Sequence, residues 1–476
     1  MRFASDQCRI SASLKILVRS GMPKTEAERV ASSSGGSLGA LQRLLGYVEL
    51  PRWAEGLSSI PLSVMLLVGA FEPANQEDRD VLSLLGADPR DVELLCERLR
   101  LAPEAPMHKE EGRVYRPVWT WRAPEDAWMA LVGQIPADTL RRFAEVVRLV
   151  LGERDLSLDL KPEERFAAAL QGKSVRASGP LRDGLVRSLV RLALSDEALA
   201  PLHGPERGSS LAMLAVQDLL PAKWEAWASL SPFLPLLAEA APETFLECVQ
   251  ASLREEDAGV AHLLAEEAFV GASPHTGLLW ALETLGWDER LMPRVASALA
   301  RLTQYDAMLP DRPGRLSNRP KRSLAGLLRI PWPQTKASAE HRIHEMARRL
   351  EETPDVGFSI LVEQIANVGD MVLLDPAREP EVRPMMLPGR DEQNERYAEE
   401  GFQVATAYLG MAFDHAGHDA DRWATLLRRV RPDPDLAVRI LDRIRAYSHP
   451  ASRRERARLG SDQTYTALVG AGGGSR

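Results

Sequence analysis

The sequence predicts an all-α protein, an irregular, solenoid-like array of helices with a small winged-helix-like segment near the N-terminal third. Three observations predict it. Leu, Ala, Arg and Glu abound while aromatic residues make up 6% of the 476 residues, a composition of good helix formers. Apolar residues recur at helical spacing along most of the chain. Only 112–121 has the alternation of a strand, Val114, Arg116, Val118 and Thr120 against Tyr115, Pro117, Trp119 and Trp121.

The array is read outwards from 273–334. Ser273-Pro274 is a polar cap followed by proline in the first turn. Leu278, Leu282 and Leu285 follow at helical spacing, and Gly286 is a stop. Asp288 can cap the next helix, and Pro293 moves its start downstream. Leu291, Val295, Ala298, Leu299 and Leu302 form its stripe. Helices joined this tightly are expected to pair antiparallel, each keeping apolar surface for a neighbour.

In chain order, 3–45 reads as two or three short helices broken at Gly35-Gly36, with a turn at 51–54. The segment 60–70 is apolar on most sides, so a buried helix is expected. Two short helices follow at 78–85 and 91–101, then a β-ribbon at 112–121, where Pro117 would confine the strand to a sheet edge. Helices before a ribbon resemble a winged helix. Pro124-Glu-Asp-Ala-Trp128 opens a helix with acidic residues in its first turn. Helices are expected at 162–171, 180–195, 208–220, 224–239 and from Pro242, with Phe245, Cys248, Val249 and Leu253 on one face. They are expected again at 339–352, 358–365, 397–413, 421–430 and 433–447. The four prolines within 369–395 mark a long loop. The divisions drawn are 1–53, 54–160, 161–450 and a flexible tail at 451–476.

A net charge of −8 argues against a protein devoted to binding nucleic acid electrostatically, but not against a local basic patch. Cys8, Cys96 and Cys248 form no disulfide framework and no CxxC pair, which suits a reducing cytoplasm. No run reaches the roughly 18 apolar residues of a membrane span, and the first residues lack a signal-peptide core.

Catalytic signatures are absent. Gly172-Lys173-Ser174 invites a P-loop reading, but the motif needs glycine where Ala167 stands, and a strand where a helix is expected. His341 and His344 with Glu345, and His415 and His418 with Asp414 and Asp419, could be offered to a metal. The simpler reading is solvated polar faces and, for 414–419, a loop. Glu255-Glu256-Asp257 and Glu266-Glu267 read as solvated charge or caps. No cofactor is implied.

The most concentrated positive charge lies at 312–322. Arg315, Asn318, Arg319, Lys321, Arg322 and Trp332 are the candidate partner-binding residues, able to meet phosphates or an acidic protein. The plainer account has these arginines capping helix C-termini and pairing with Asp or Glu.

The residues also carry a resemblance. His275-Thr-Gly-Leu-Leu-Trp-Ala-Leu-Glu283, Pro293-Arg-Val295 with Leu299-Ala-Arg-Leu302, Asn318-Arg-Pro320, Ser323-Leu324 and Trp332-Pro-Gln-Thr335 resemble a block of large bacterial STAND-type P-loop NTPases, including Avs-like antiphage defence proteins. Pro124–Trp128, Ser231–Phe245 and the 37–53 region are similar to further parts, so the resemblance covers roughly 30–370. It implies the end of an NTPase module, a connector and a helical sensor. The Walker motifs and any effector are missing, so no catalytic residue is carried over. The expected function is a non-catalytic sensor or protein-interaction module with a protein ligand, a separate nucleotide-binding chain, or both. The alternatives are a nucleic-acid-binding scaffold using 312–322, and a metal-dependent hydrolase.

Overall fold

The computed structural model describes residues 2–46, 51–54, 60–102, 104–111, 116–205, 207–221, 223–255, 259–265, 273–309, 318–330, 332–366, 380–383 and 390–429. Arg315, the helix expected at 433–447, the tail at 451–476 and most of the 369–395 loop lie outside them. The described residues are mostly helical, with one small three-stranded sheet. The chain forms two compact units. The first comprises Met1–Cys248, Ala268–Gly277 and Pro380–Met385; the second comprises Val249–Glu267, Leu278–Glu379 and Met386–Arg476. The divisions drawn from the sequence at 53/54 and 160/161 both fall inside the first unit.

In the first unit, α1 (Arg2–Arg19), α2 (Lys24–Ser33) and α3 (Leu38–Leu44) surround a small core of Leu17, Ala27, Val30, Ala31 and Leu41. The Ser37 side chain accepts the Ala40 N–H and so fixes where α3 starts. Next comes α4 (Ile60–Val68), buried from Leu62 to Val68 as its all-round apolarity requires.

The order then runs β1 (Ala70–Phe71), α5 (Gln76–Leu84), α6 (Pro89–Leu101), β2 (Met107–Glu111) and β3 (Pro117–Trp121). Helix, short strand, two helices and a ribbon whose second strand pairs with the first strand make a winged-helix arrangement. The strand order is β1-β3-β2, antiparallel throughout.

Two expectations are corrected here. The ribbon is not confined to 112–121, because its first strand is Met107–Glu111. That run has no β-branched residue, so its own preferences did not announce it; β3 supplies the partner that holds it extended. Nor is Pro117 on an edge strand, since β3 is central. Pro117 faces Glu111 at one end of the ladder, while β1 reaches only Trp119 and Thr120. The missing N–H therefore removes no bond to β1.

The first unit continues with α7 (Pro124–Leu131), α8 (Ala137–Leu151), 3-10 turns at Leu156–Asp159 and Pro162–Gln171, α9 (Gly179–Ala193), α10 (Asp196–His203), α11 (Arg207–Leu219), α12 (Trp224–Ser229), α13 (Leu234–Ala240) and the start of α14 (Pro242–Ser252), as far as Cys248. The single helix expected at 224–239 is broken by a 3-10 turn at Ser231–Phe233, where Pro232 lacks the N–H a continuous helix needs. In a solenoid each pair touches only its neighbours. Here α9 meets α4, α8, α11, α13 and β1, so this unit is organised about a central helix rather than along a line.

In the second unit lie a 3-10 turn at Gly259–Leu264, the end of α15 (Pro274–Leu285), α16 (Met292–Met308), α17 (Pro320–Leu327), α18 (Ala339–Glu352), α19 (Pro354–Ala366), α20 (Arg390–Ala416) and α21 (Ala420–Arg429). The α16 stripe expected from the sequence is buried, and α17 lies against it. α19 is the hub, touching α16, α17, α18, α20 and α21. α20 begins at Arg390, so the end of the expected loop is helical, as are residues 414–416 of the expected 414–419 loop. Among the described residues, no helix is long and apolar enough to cross a membrane.

Candidate functional site

The patch singled out by its charge density is partly engaged inside its own unit. Arg319 precedes α17 and is part-buried. Its guanidinium pairs with Asp306 near the end of α16 and donates to the Leu264 carbonyl at 3.2 Å, at the end of the 3-10 turn. Both contacts belong to the plainer account, a helix C-terminus capped and a carboxylate paired. Lys321 meets Glu363 of α19 at 3.1 Å, with both side chains still well exposed. Asn318 is half-buried and Arg322 exposed. Trp332 is 42% exposed in a left-handed backbone conformation, φ 51°, which strains a non-glycine residue. The described candidates thus gather at the start of α17 and in the turn after it.

The remaining motif readings resolve into structure. Gly172, φ 66°, ends the 162–171 turn, and the Lys173 N–H reaches back to the Ala168 carbonyl at 2.9 Å. That is a helix-terminating bond and not a phosphate cradle. His341 pairs with Glu289. The His415 ring lies 5.5 Å from Phe358, and burial, with Arg422 nearby, lowers its pKa. Among the described residues no three His, Cys, Asp or Glu side chains converge as a metal site.

Around His341 and His344 the expected solvated face is wrong for the neighbouring charges. Arg342, Glu345 and Arg349 form a buried stripe on α18. Arg342 is fully buried, donating to the Arg329 carbonyl at 2.9 Å and to Glu400 at 2.7 Å. Arg349 lies 2.8 Å from Glu345 and 2.6 Å from Glu352. Burial pushes the Glu345 carboxyl up to about 7 against the pull of Arg349 and Arg348. Period-3.6 placement of these charges was visible in the sequence. The burial of Arg342 was not, because its partner, Glu400, comes from a distant helix.

Pro124–Trp128 turns out to be a three-way staple within the first unit. Glu125 pairs with Arg191 of α9 at 2.9 Å. Asp126 takes a bidentate pair from Arg43 of α3 at 2.7 and 2.9 Å. The Trp128 indole donates to the Ser195 hydroxyl at 2.8 Å. Arg43 is 8% exposed and also holds Glu104 at 2.6 Å. The Asp126 hydrogen bond holds the Arg43 guanidinium above its ordinary pKa, against its burial.

Sequence reading missed a cleft of about 720 Å³ in the first unit, bounded by α1, the turn before α3, the end of α6 and the residues beside the sheet. One face of α1 lines it, Arg9, Ala12, Ser13 and Ile16 at helical spacing, while Ile10, Leu14 and Leu17 turn to the core. Arg100, Arg122 and Leu38 line the other walls. Those walls are built tightly. At Gly35, φ 56°, a Cβ would sit 2.2 Å from the Arg122 carbonyl oxygen, and at Gly39 one would meet the Glu104 carboxylate at 2.7 Å. Opposite them, Glu104 and Ala105 are consecutive left-handed residues, φ 69° and 41°. The Arg122 guanidinium donates to the Ala105 carbonyl at 3.2 Å. The three arginines are far apart in sequence, so charge density along the chain gave no signal of the site.

No family model, curated protein or solved structure matches this chain.

Proposed function

We propose that this chain is a non-catalytic sensor and protein-interaction module of a STAND-like antiphage defence system. It recognises a protein ligand through its helices and relays the change in packing to a separate nucleotide-binding chain. The observation that carries this reading is the order of parts. Three helices occupy 2–46, the winged-helix arrangement runs from Ile60 to Trp121, and the described elements from there to Arg429 are helical. This is the order that the resemblance implies: the end of an NTPase module, a connector and a helical sensor. The staple at Pro124–Trp128 supports it further, since a segment carrying the resemblance serves to join helices.

The test is co-purification. The tagged chain, co-expressed one by one with a broad panel of phage structural proteins, is expected to retain at least one of them stoichiometrically. Recovery of none across the panel overturns the proposal. Salt-dependent retention on DNA or RNA, lost on Arg319→Glu with Arg322→Glu, would replace it with the nucleic-acid reading.

A further inference from the structure

We propose that the cleft between α1, α3 and α6 is a docking site for an acidic, aliphatic segment of a partner protein. This goes beyond the sensor reading, because the cleft belongs to residues 9–122 and not to the helices assigned to ligand recognition.

Two features set the chemistry of the occupant. The first is charge. Three guanidiniums line the cleft, those of Arg9, Arg100 and Arg122. Glu104, the one carboxylate among the described lining residues, is already held by Arg43 at 2.6 Å. Arg9 is exposed. Arg100 meets Glu97 one turn away on the surface of α6, a contact that contributes little and leaves the cation available. The cleft therefore favours carboxylates, which a guanidinium fork can grip bidentately.

The second feature is the apolar lining. Ile16 is 65% and Leu38 69% exposed at the cleft. Large aliphatic side chains left in water beside a basic rim mark a contact surface. They also decide between ligand classes. Nucleic acid bound at a basic groove stacks its bases on aromatic rings, and no aromatic side chain is among the described residues that line this cleft. A segment alternating carboxylate and aliphatic residues satisfies both features. The left-handed pair Glu104-Ala105 and the close approach at Gly35 hold the wall in place before anything binds, and such preorganisation reduces the ordering cost of binding.

The test uses the purified full chain and a fluorescein-labelled peptide of alternating Glu and Leu, read by anisotropy. Its copy with Gln for every Glu, and a single-stranded oligonucleotide, serve as competitors. The Glu-Leu peptide is expected to bind with an affinity that falls as salt rises, and the Gln copy to bind at least about tenfold more weakly. Arg9→Gln with Arg100→Gln is expected to lower the affinity roughly tenfold, and Leu38→Ser roughly fivefold, with helical content unchanged. Arg428→Gln, on α21, leaves it unaltered. Equal binding of the two peptides, no binding, or indifference to both cleft variants overturns the proposal. So does an oligonucleotide that displaces the peptide and itself depends on Arg9 and Arg100, which would make the cleft a phosphate site. Failure here leaves the co-purification test of the sensor reading untouched.

Discussion

Two groups of arginines invite comparison. Arg319 and its neighbours at the start of α17 are dense in sequence, and two of the cations pair with carboxylates of their own unit, Asp306 and Glu363. Arg9, Arg100 and Arg122 are scattered along the chain, and the fold brings them to one cleft. Basic density along a chain therefore does not measure the charge a surface offers. What measures it is whether the fold places a carboxylate within reach of each cation. The start of α17 finds carboxylates on α16 and α19, whereas in the cleft Arg9 is exposed and Arg100 meets Glu97 on the surface of its own helix.

The comparison breaks hardest at Arg43, the cation behind the cleft wall. Arg43→Met leaves Asp126 buried and Glu104 part-buried without their partner. It is expected to cost about 3–5 kcal/mol, read as lost hydrogen-exchange protection in α3 and α7. With two units present, a single global unfolding midpoint would mix their transitions. Little change in exchange would mean that the staple does not hold the wall.

The next effect concerns pH in the second unit. The Glu345 carboxyl, raised to about 7 by burial, binds its proton more tightly folded than unfolded. Its contribution to stability is full below the ordinary glutamate range and is lost as pH rises through about 7. Glu345→Gln removes that dependence. The variant should therefore gain on the native chain by on the order of a few kcal/mol as pH rises from about 4.5 to 7, then hold a constant difference. A difference that is flat across this window would mean that Glu345 remains ionised inside α18.

Legibility follows the same division. The helices were readable because their apolar residues repeat locally: α4 is buried from Leu62 to Val68, and Val295, Leu299 and Leu302 of α16 are all buried as their spacing requires. β2 was not, because Met107–Glu111 is extended through pairing with β3 rather than by its own residues. The break at Ser231–Phe233 is legible locally, since Pro232 cannot donate the bond a continuous helix needs. Of the sites, the α17 patch was visible as composition, yet its pairing with Asp306 depends on the fold. The cleft was invisible, since Arg9, Arg100 and Arg122 share no local pattern and only the packing of α1 against α2 and α3 turns one face of α1 towards it.

Arg319→Gln is expected to sit below these effects. It removes a part-buried ion pair and a cap on the Leu264 carbonyl, costing about 1–3 kcal/mol in the second unit. Exchange should quicken at the start of α17 and around Gly259–Leu264. If stability is untouched while binding to a partner is lost, Arg319 is a contact residue rather than a brace.

The smallest effects separate the two groups most sharply. Lys321→Gln breaks an exposed pair and should cost about 0.2–1 kcal/mol. Arg9→Gln, on an exposed face, should leave stability within about 0.5 kcal/mol of the native chain. Yet Arg9→Gln is expected to weaken the Glu-Leu peptide, whereas Lys321→Gln is not, because Lys321 stands outside the cleft lining. Stability and binding thus rank these two cations in opposite orders. A shared ranking would mean that the cleft arginines, like those at α17, serve only the fold.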